Sequence, residues 1–238
     1  MLHTDGRTEF DHAVVMVRDR LEQMAPHFES QGFTLSDVAR HNLGSWNRLI
    51  VLEGSYVELL GWPPGAPPAR KEIADSALGL EALVLRTEDA DATYERLRAA
   101  GFAVNPVQVL TRDALVDGQR VEAQFHTVRF SEQPIAGLRM YFCRHLTPAC
   151  VWQPALMAHA NGARRLVGIE VQSPDPSATA QRLGLVAGVP VVRAADGFDV
   201  QLGNLSLHVC RADRVAAALA SLTVEYQGGQ PQRLDIGL

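Results

Sequence analysis

Only three of the 238 residues are cysteine, Cys143, Cys150 and Cys210. They are odd in number and at no metal-site spacing, which argues against a disulfide framework and a cysteine-built zinc site. Reduced, partly buried thiols are expected instead. No apolar run approaches the roughly 18 to 20 residues that a membrane-crossing helix needs. The opening MLHTDGRTEFDH has charges and no apolar core of a secretory signal, so a cytoplasmic location is expected. The net charge is −5 with no long block of one sign, which speaks against non-specific nucleic-acid binding and a polybasic membrane patch. No G-x-S-x-G elbow is present, nor a Cys in a polar loop beside a His. No glycine loop follows a strand to cradle a phosphate, Gly228 and Gly229 reading as an isolated turn, and no nucleotide cofactor is expected.

What the chain does have is ordinary globular composition, 47% hydrophobic and 21% charged, and an internal repeat. Residues 10–33, FDHAVVMVRDRLEQMAPHFESQGF, and residues 80–102, LEALVLRTEDADATYERLRAAGF, share an order: apolar run, charged break, amphipathic stretch, Gly-Phe. The interval from His12 to Gly32 equals that from Glu81 to Gly101. A third copy, LVGIEVQSPDPSATAQRLGLVAG, occupies residues 166–188, with Gly168 at the equivalent place. Each opening reads as strand, cap, helix, stop. Residues 13–17 suit a strand buried on both faces. Asp19, Asp89 and the pair Asp175–Pro176 mark helix starts, where a carboxylate meets unpaired N–H groups. Gly32 and Gly101 supply the left-handed residue that ends a helix.

Extended segments follow each opening: residues 34–39, 47–52 and 55–60, then 104–110, 120–130 and 138–143, then 189–193, 198–202 and 205–210. The tail reads as a helix over 215–222 and then a strand or two. The expected organisation is therefore a first βαβββ module at 8–61, a Pro/Gly linker at 62–77 and a second module at 78–145 pairing with the first. A connector at 146–163 and a third, partial module at 164–238 follow.

Tandem βαβββ modules resemble the vicinal-oxygen-chelate superfamily of glyoxalases, extradiol dioxygenases, epimerases and bleomycin-resistance binding proteins, and more narrowly its glyoxalase-like domain family. FDHAVVMV, RHNLGSWN at 40–47, SYVELLG at 55–61 and HANGARRLVGIEV at 159–171 carry the likeness. It implies an α+β fold of curved mixed sheets, two modules closing a cup, and ligands for a divalent metal on the first and fourth strands of each. Whether that metal is Zn, Mn, Fe, Ni or Mg is left open.

The positions that match are His12, Glu58, Glu81 and Tyr141. His12 and Glu58 fit the metal pattern. Glu58 lies among Val57, Leu59 and Leu60, and a carboxylate there needs a metal, a His or an Arg to balance it, since burying it unpaired costs several kcal/mol. Glu81 stands where a His or Gln is usual, and Tyr141 where a carboxylate is usual. A phenol is a poor ligand because it keeps its proton to about pH 10. The two-His-one-carboxylate set of an iron dioxygenase is met only if His41 or His126 moves in. Without a metal, His12 and Glu58 would pair in a metal-free pocket.

His41, Trp46 and Asn47 read as a substrate-orienting corner at the cup mouth, or as a capped hairpin turn. His126 shares a strand with Arg129 but lies on the other face, so only one can reach the pocket. His145 and His159 are expected to be solvated or to cap backbone, and His208 to lie in the core or at the surface. Two functions compete. One is a metal-dependent lyase, isomerase or dioxygenase acting on a small carbonyl, enediol or aromatic substrate, with Glu58 or Glu81 moving a proton. The other is a metal-free protein that sequesters a small molecule; a purely structural role ranks third. A third module with no fourth to close it leaves a sheet edge, from which a homodimer is expected.

Overall fold

A computed structural model describes residues 8–237; the start of the segment read as carrying no secretory signal, residues 1–7, lies outside them. The first module comprises β1 (Phe10–Arg18), α1 (Leu21–Ser30), β2 (Ala39–Arg40), β3 (Trp46–Leu52) and β4 (Ser55–Gly61). A short α2 (Lys71–Ala74) interrupts the linker. The second module is β5 (Gly79–Arg86), α3 (Ala90–Ala99), β6 (Gln108–Val116), β7 (Gln119–Arg129) and β8 (Arg139–His145). The third is β9 (Ala163–Ser173), α4 (Pro176–Ala187), β10 (Val191–Arg193), β11 (Gly197–Gln201) and β12 (Ser206–Arg211). The chain ends on β13 (Ala218–Tyr226) and β14 (Gln232–Arg233).

The repeat shows in the caps. Asp89 accepts from the Ala92 N–H and Asp175 from the Ala178 N–H, each satisfying a donor that has no partner within its helix. The first copy departs from this: Arg20, not Asp19, occupies the cap position of α1, with no side-chain hydrogen bond. Gly32 and Gly101 follow α1 and α3 at φ of +84° and +81°, as their placement predicted.

The first two modules form one eight-stranded sheet in the order β2-β3-β4-β1-β5-β8-β7-β6. Within each module the first and fourth strands run parallel, β1 beside β4 and β5 beside β8, and the modules join through an antiparallel β1–β5 seam. The second sheet, β10-β11-β12-β9-β13-β14, repeats the plan: β9 is parallel to β12 and antiparallel to β13. The tail thus stands where the first strand of a fourth module would stand.

This corrects the helix expected over 215–222. The alanine-rich segment favours helix in isolation, but the edge of β9 presents unpaired N–H and C=O groups that a strand satisfies. Leu219, Leu222 and Val224 then turn into the core across a bulge near Ser221. The edge that the third module would leave open is covered by the chain itself.

β1 is buried on both faces. Ala13, Val15 and Val17 enter the main core with Phe28 of α1, Leu97 of α3 and the inner face of the second sheet. Val14 and Met16 point the other way, into a smaller apolar cluster with Tyr56, Val84, Phe125 and Tyr141 that lines the concave side. Burial of each such aliphatic side chain contributes roughly 1.5–3 kcal/mol. No helix among the described residues is long and apolar enough to cross a membrane.

Candidate functional site

The concave side of the eight-stranded sheet holds a small half-open cleft of about 30 Å³, lined from both modules. His12 enters it from β1 and Glu58 from β4, both almost fully buried. Val57 and Leu59 alternate into the main core, which turns Glu58 the other way. His12 Nδ1 donates to Asp11 Oδ2 at 2.7 Å, so in the neutral ring Nε2 carries the lone pair, and the Tyr141 hydroxyl lies 3.1 Å from it. Nε2 is 3.6 Å from Glu58 Oε2, too far for a hydrogen bond. Tyr56 stacks on the His12 ring at 4.3 Å and fixes its plane.

His41 completes the other side of Glu58. Its Nε2 is 3.8 Å from Oε1, the oxygen that also accepts from Asn47 Nδ2 at 2.7 Å. The turn that carries His41 is held by an isolated bridge to Arg112, and Ser45 Oγ lies 3.1 Å from its Nδ1. Burial lowers the His41 pKa to about 4, against the pull of Glu58 and with the help of Arg112, Arg70 and Arg129. Its ring is therefore neutral. Burial opposes ionisation of Glu58, but His12, His41, the Asn47 hydrogen bond and Arg112 hold its pKa below the ordinary value, so it is a carboxylate.

Three expected site residues are elsewhere. Trp46 packs against the main core beneath the Arg40 guanidinium, 4.7 Å from its ring centre, because alternation along β3 sends Asn47 to the cleft and Trp46 away from it. On β7 the odd-numbered Phe125, Thr127 and Arg129 line the cleft, so His126 lies on the opposite face of the sheet, the face of the core residue Val128. Glu81 forms a two-pronged ion pair with Arg139 and accepts from Ser76, outside the cleft lining. His41, Asn47 and Tyr141 do reach the cleft beside His12 and Glu58.

Asp11, His145 and the arginines were missed. His145, expected in solvent or on backbone, ends β8 with its side chain buried and its Nε2 2.9 Å from Asp11 Oδ2. Burial alone would raise the Asp11 pKa, yet His145 and His12 hold it well below its usual range. Arg86 also donates to Asp11, at 2.9 Å. The D-H pair opening β1 was the available signal. His159 does cap backbone, accepting from the Thr34 N–H and lying 2.8 Å from the Val51 carbonyl. His208 sits part-exposed between Asp196 and Asp199.

Among the described residues, one triad of Asp, Glu, His or Cys has ligand atoms all within 4.8 Å of one another: Asp11, Cys143 and His145. It is a poor resting place for a cation. Both Asp11 oxygens are already occupied by Arg86, His12 and His145, and burial pushes the Cys143 thiol well above its normal pKa, so it keeps its proton. His12, Glu58 and His41 are more open as a triad but chemically better. The 3.6 Å gap from His12 runs to Oε2 of Glu58 and the 3.8 Å gap from His41 to Oε1, so the two imidazoles flank the carboxylate on separate oxygens. Each imidazole has its far nitrogen held, by Asp11 or Ser45, as metal-bound histidines do. Two imidazoles and a carboxylate are donor types that divalent ions take.

Paired parallel first and fourth strands, duplicated about an antiparallel seam with the polar groups inside, define the vicinal-oxygen-chelate architecture. The chain belongs to the glyoxalase-like domain family, whose model matches residues 10–186. A hypothetical protein from Staphylococcus aureus is similar over 96% of this chain and 99% of its own, with a TM-score of 0.72 at 16% identity. A mutant of 4-hydroxymandelate synthase from Streptomyces coelicolor aligns with 88% of this chain at a TM-score of 0.57 and 14% identity; the alignment spans 64% of the synthase. A xylose isomerase-like TIM barrel/4-hydroxyphenylpyruvate dioxygenase fusion protein aligns over 92% of this chain and 37% of its own, with a TM-score of 0.56 and 14% identity. A search of curated proteins gives no significant match.

Proposed function

We propose that this chain is a metal-dependent enzyme acting on a small, oxygen-bearing substrate in the cleft between its first two modules. The observation that carries this reading is the state of Glu58. It is a buried carboxylate whose Oε2 has no hydrogen-bond partner among the described residues, and it faces the Nε2 atoms of two imidazoles across gaps wider than a hydrogen bond. Arg112 stabilises that charge from a distance, but no group among the described residues bonds Oε2 directly, which leaves it open to a ligand. His12 and Glu58 would hold the ion, with His41 across the carboxylate. A bound divalent ion supplies a Lewis acid for substrate oxygens.

The chain's own groups do the rest. Asp11 holds His12 in the tautomer that points its lone pair into the cleft. Tyr141 stays a neutral phenol, because burial raises its pKa and Glu58 adds to the rise. It can therefore donate a hydrogen bond to a substrate oxygen that gains negative charge. Leu60, Ile73, Leu110 and Phe125 line the cleft and limit water. Isomerase, lyase and dioxygenase chemistry are all compatible with such a site, and two of the structural relatives are a 4-hydroxymandelate synthase mutant and a 4-hydroxyphenylpyruvate dioxygenase fusion protein.

Metal analysis of protein purified without chelator tests the reading. Near-stoichiometric metal is expected, lost in His12→Ala and Glu58→Gln, reduced in His41→Ala, and kept in Cys143→Ser and Tyr141→Phe. Metal that survives His12→Ala and Glu58→Gln but disappears in Cys143→Ser would move the site to the Asp11 cluster. A protein that takes up no Zn, Mn, Fe, Ni or Mg yet binds flat ligands tightly would replace the proposal with metal-free sequestration.

A further inference from the structure

Four arginines line the cleft, Arg70, Arg112, Arg129 and Arg139, and Glu58 is its one lining carboxylate among the described residues. Glu81 neutralises Arg139 from the rim. The other three lack such a partner. Arg112 is 6% exposed, and its guanidinium donates only to the Asp113 carbonyl, at 3.0 Å. Arg129 donates from Nε to Thr127 Oγ1 at 3.2 Å. Arg70 donates to Ser45 Oγ at 3.3 Å and reaches the exposed Glu72 only at 4.0 Å, while its Nε is buried with no hydrogen-bond partner.

A guanidinium presents five N–H donors in a rigid fork, and leaving them buried without acceptors is unfavourable. The forks are also held in place. Arg112 lies 5.9 Å from the Phe125 ring centre and Arg129 5.3 Å from that of Tyr141, so aromatic faces set both planes before any ligand arrives. Even with Glu58 and Glu81 set against them, the arginines keep an excess of positive charge around the half-open cleft.

We propose that the molecule bound here carries an oxyanion, seated by the forks of Arg112 and Arg129 with Arg70 closing over it. This names the substrate class for the site described above, and it rests on that reading for the turnover though not for the binding. A carboxylate or a phosphate provides acceptor oxygens in pairs that match the forks. Its charge supplies the compensation that the cleft lacks. The anion then lies beside Glu58 and His12, so that its neighbouring oxygen-bearing carbon faces them.

Isothermal titration of chelator-treated protein with malonate, inorganic phosphate and the uncharged malonamide tests the inference. Malonate or phosphate is expected to bind and malonamide not to, the tighter of the two anions identifying which oxyanion the seat prefers. Binding should weaken with added salt, as a charge interaction does. Arg112→Gln and Arg129→Gln should each weaken it about tenfold or more, the scale of one lost charged hydrogen bond. Arg112→Lys guards against misfolding: it keeps the charge, and weaker binding with an unchanged melting temperature isolates the fork. Binding of neither anion, or equal affinity in Arg112→Gln, overturns the proposal. Metal analysis separates the two readings: a protein that takes up no metal yet binds malonate or phosphate through Arg112 and Arg129 keeps the anion seat and loses the metal site.

Discussion

Asp11 and His12 are consecutive on one strand, yet their side chains meet, Oδ2 accepting from Nδ1 at 2.7 Å. Neighbours on a regular strand point to opposite faces. The pairing of β1 with β5 slips between Phe10 and His12, and this irregularity accompanies the departure from alternation. Asp11 gathers His12, His145 and Arg86 around one fully buried carboxylate, so it both orients the ring and anchors the seam.

Asp11→Asn should therefore register in two ways. Losing the charge that sets the His12 ring is expected to lower metal affinity about 10–100-fold, the usual effect of removing an orienting partner. Leaving Arg86 without its buried carboxylate should destabilise the fold by about 3–5 kcal/mol. Metal titration and chemical denaturation read the two separately. Unchanged metal affinity would remove Asp11 from the site.

His159 predicts a pH dependence. Its Nδ1 accepts from the Thr34 N–H, so Nε2 bears the proton and donates to the Val51 carbonyl. A second proton on Nδ1 would face a donor. Burial lowers its pKa below the ordinary value, outweighing the Val51 hydrogen bond. The unfolded chain takes up a proton below about pH 6.5, before the folded one does. The contribution is thus whole above about pH 6.5 and declines as pH falls towards the folded pKa. His159→Gln should flatten the stability profile between neutral and mildly acidic pH in denaturant titrations. An identical slope in the variant would refute the assignment.

Gly61 ends β4 where the chain passes over Arg18. A Cβ there would lie 2.2 Å from the Arg18 carbonyl oxygen, which also accepts from the Trp62 N–H at 2.9 Å. Gly61→Ala forces backbone apart beside β1 and is expected to cost about 1–3 kcal/mol. A melting temperature within experimental error of the parent would show that the two strands can separate freely.

The repeat made most of the fold legible. The caps Asp89 and Asp175 followed from periodicity and from matching positions in successive copies, while His12 and Glu58 were singled out by the family resemblance and by the cost of a carboxylate among apolar neighbours. Glu81 was not so legible: its place in the repeat is right, but Arg139, set on the neighbouring strand, captures its side chain, and no local pattern announces a partner so distant in sequence. The alternation of β7, Val121, Ala123 and Phe125 against Arg120, Glu122 and Gln124, put His126 on the polar face, but which face lines the cleft depends on how the sheet curves. The tail misled because helix propensity is local, while the empty edge of β9 that recruits it is made by residues about fifty positions earlier.

The seam between β1 and β5 has a consequence for how such a cleft arises. A chain with a single such module could enclose the cleft only by meeting a copy of itself, and both walls would then bear identical groups. Joining the halves in one polypeptide frees each wall to specialise. Here one wall brings His12, His41 and Glu58, and the other brings Arg112, Arg129 and Tyr141. Such a division of labour is forbidden to a symmetric pair.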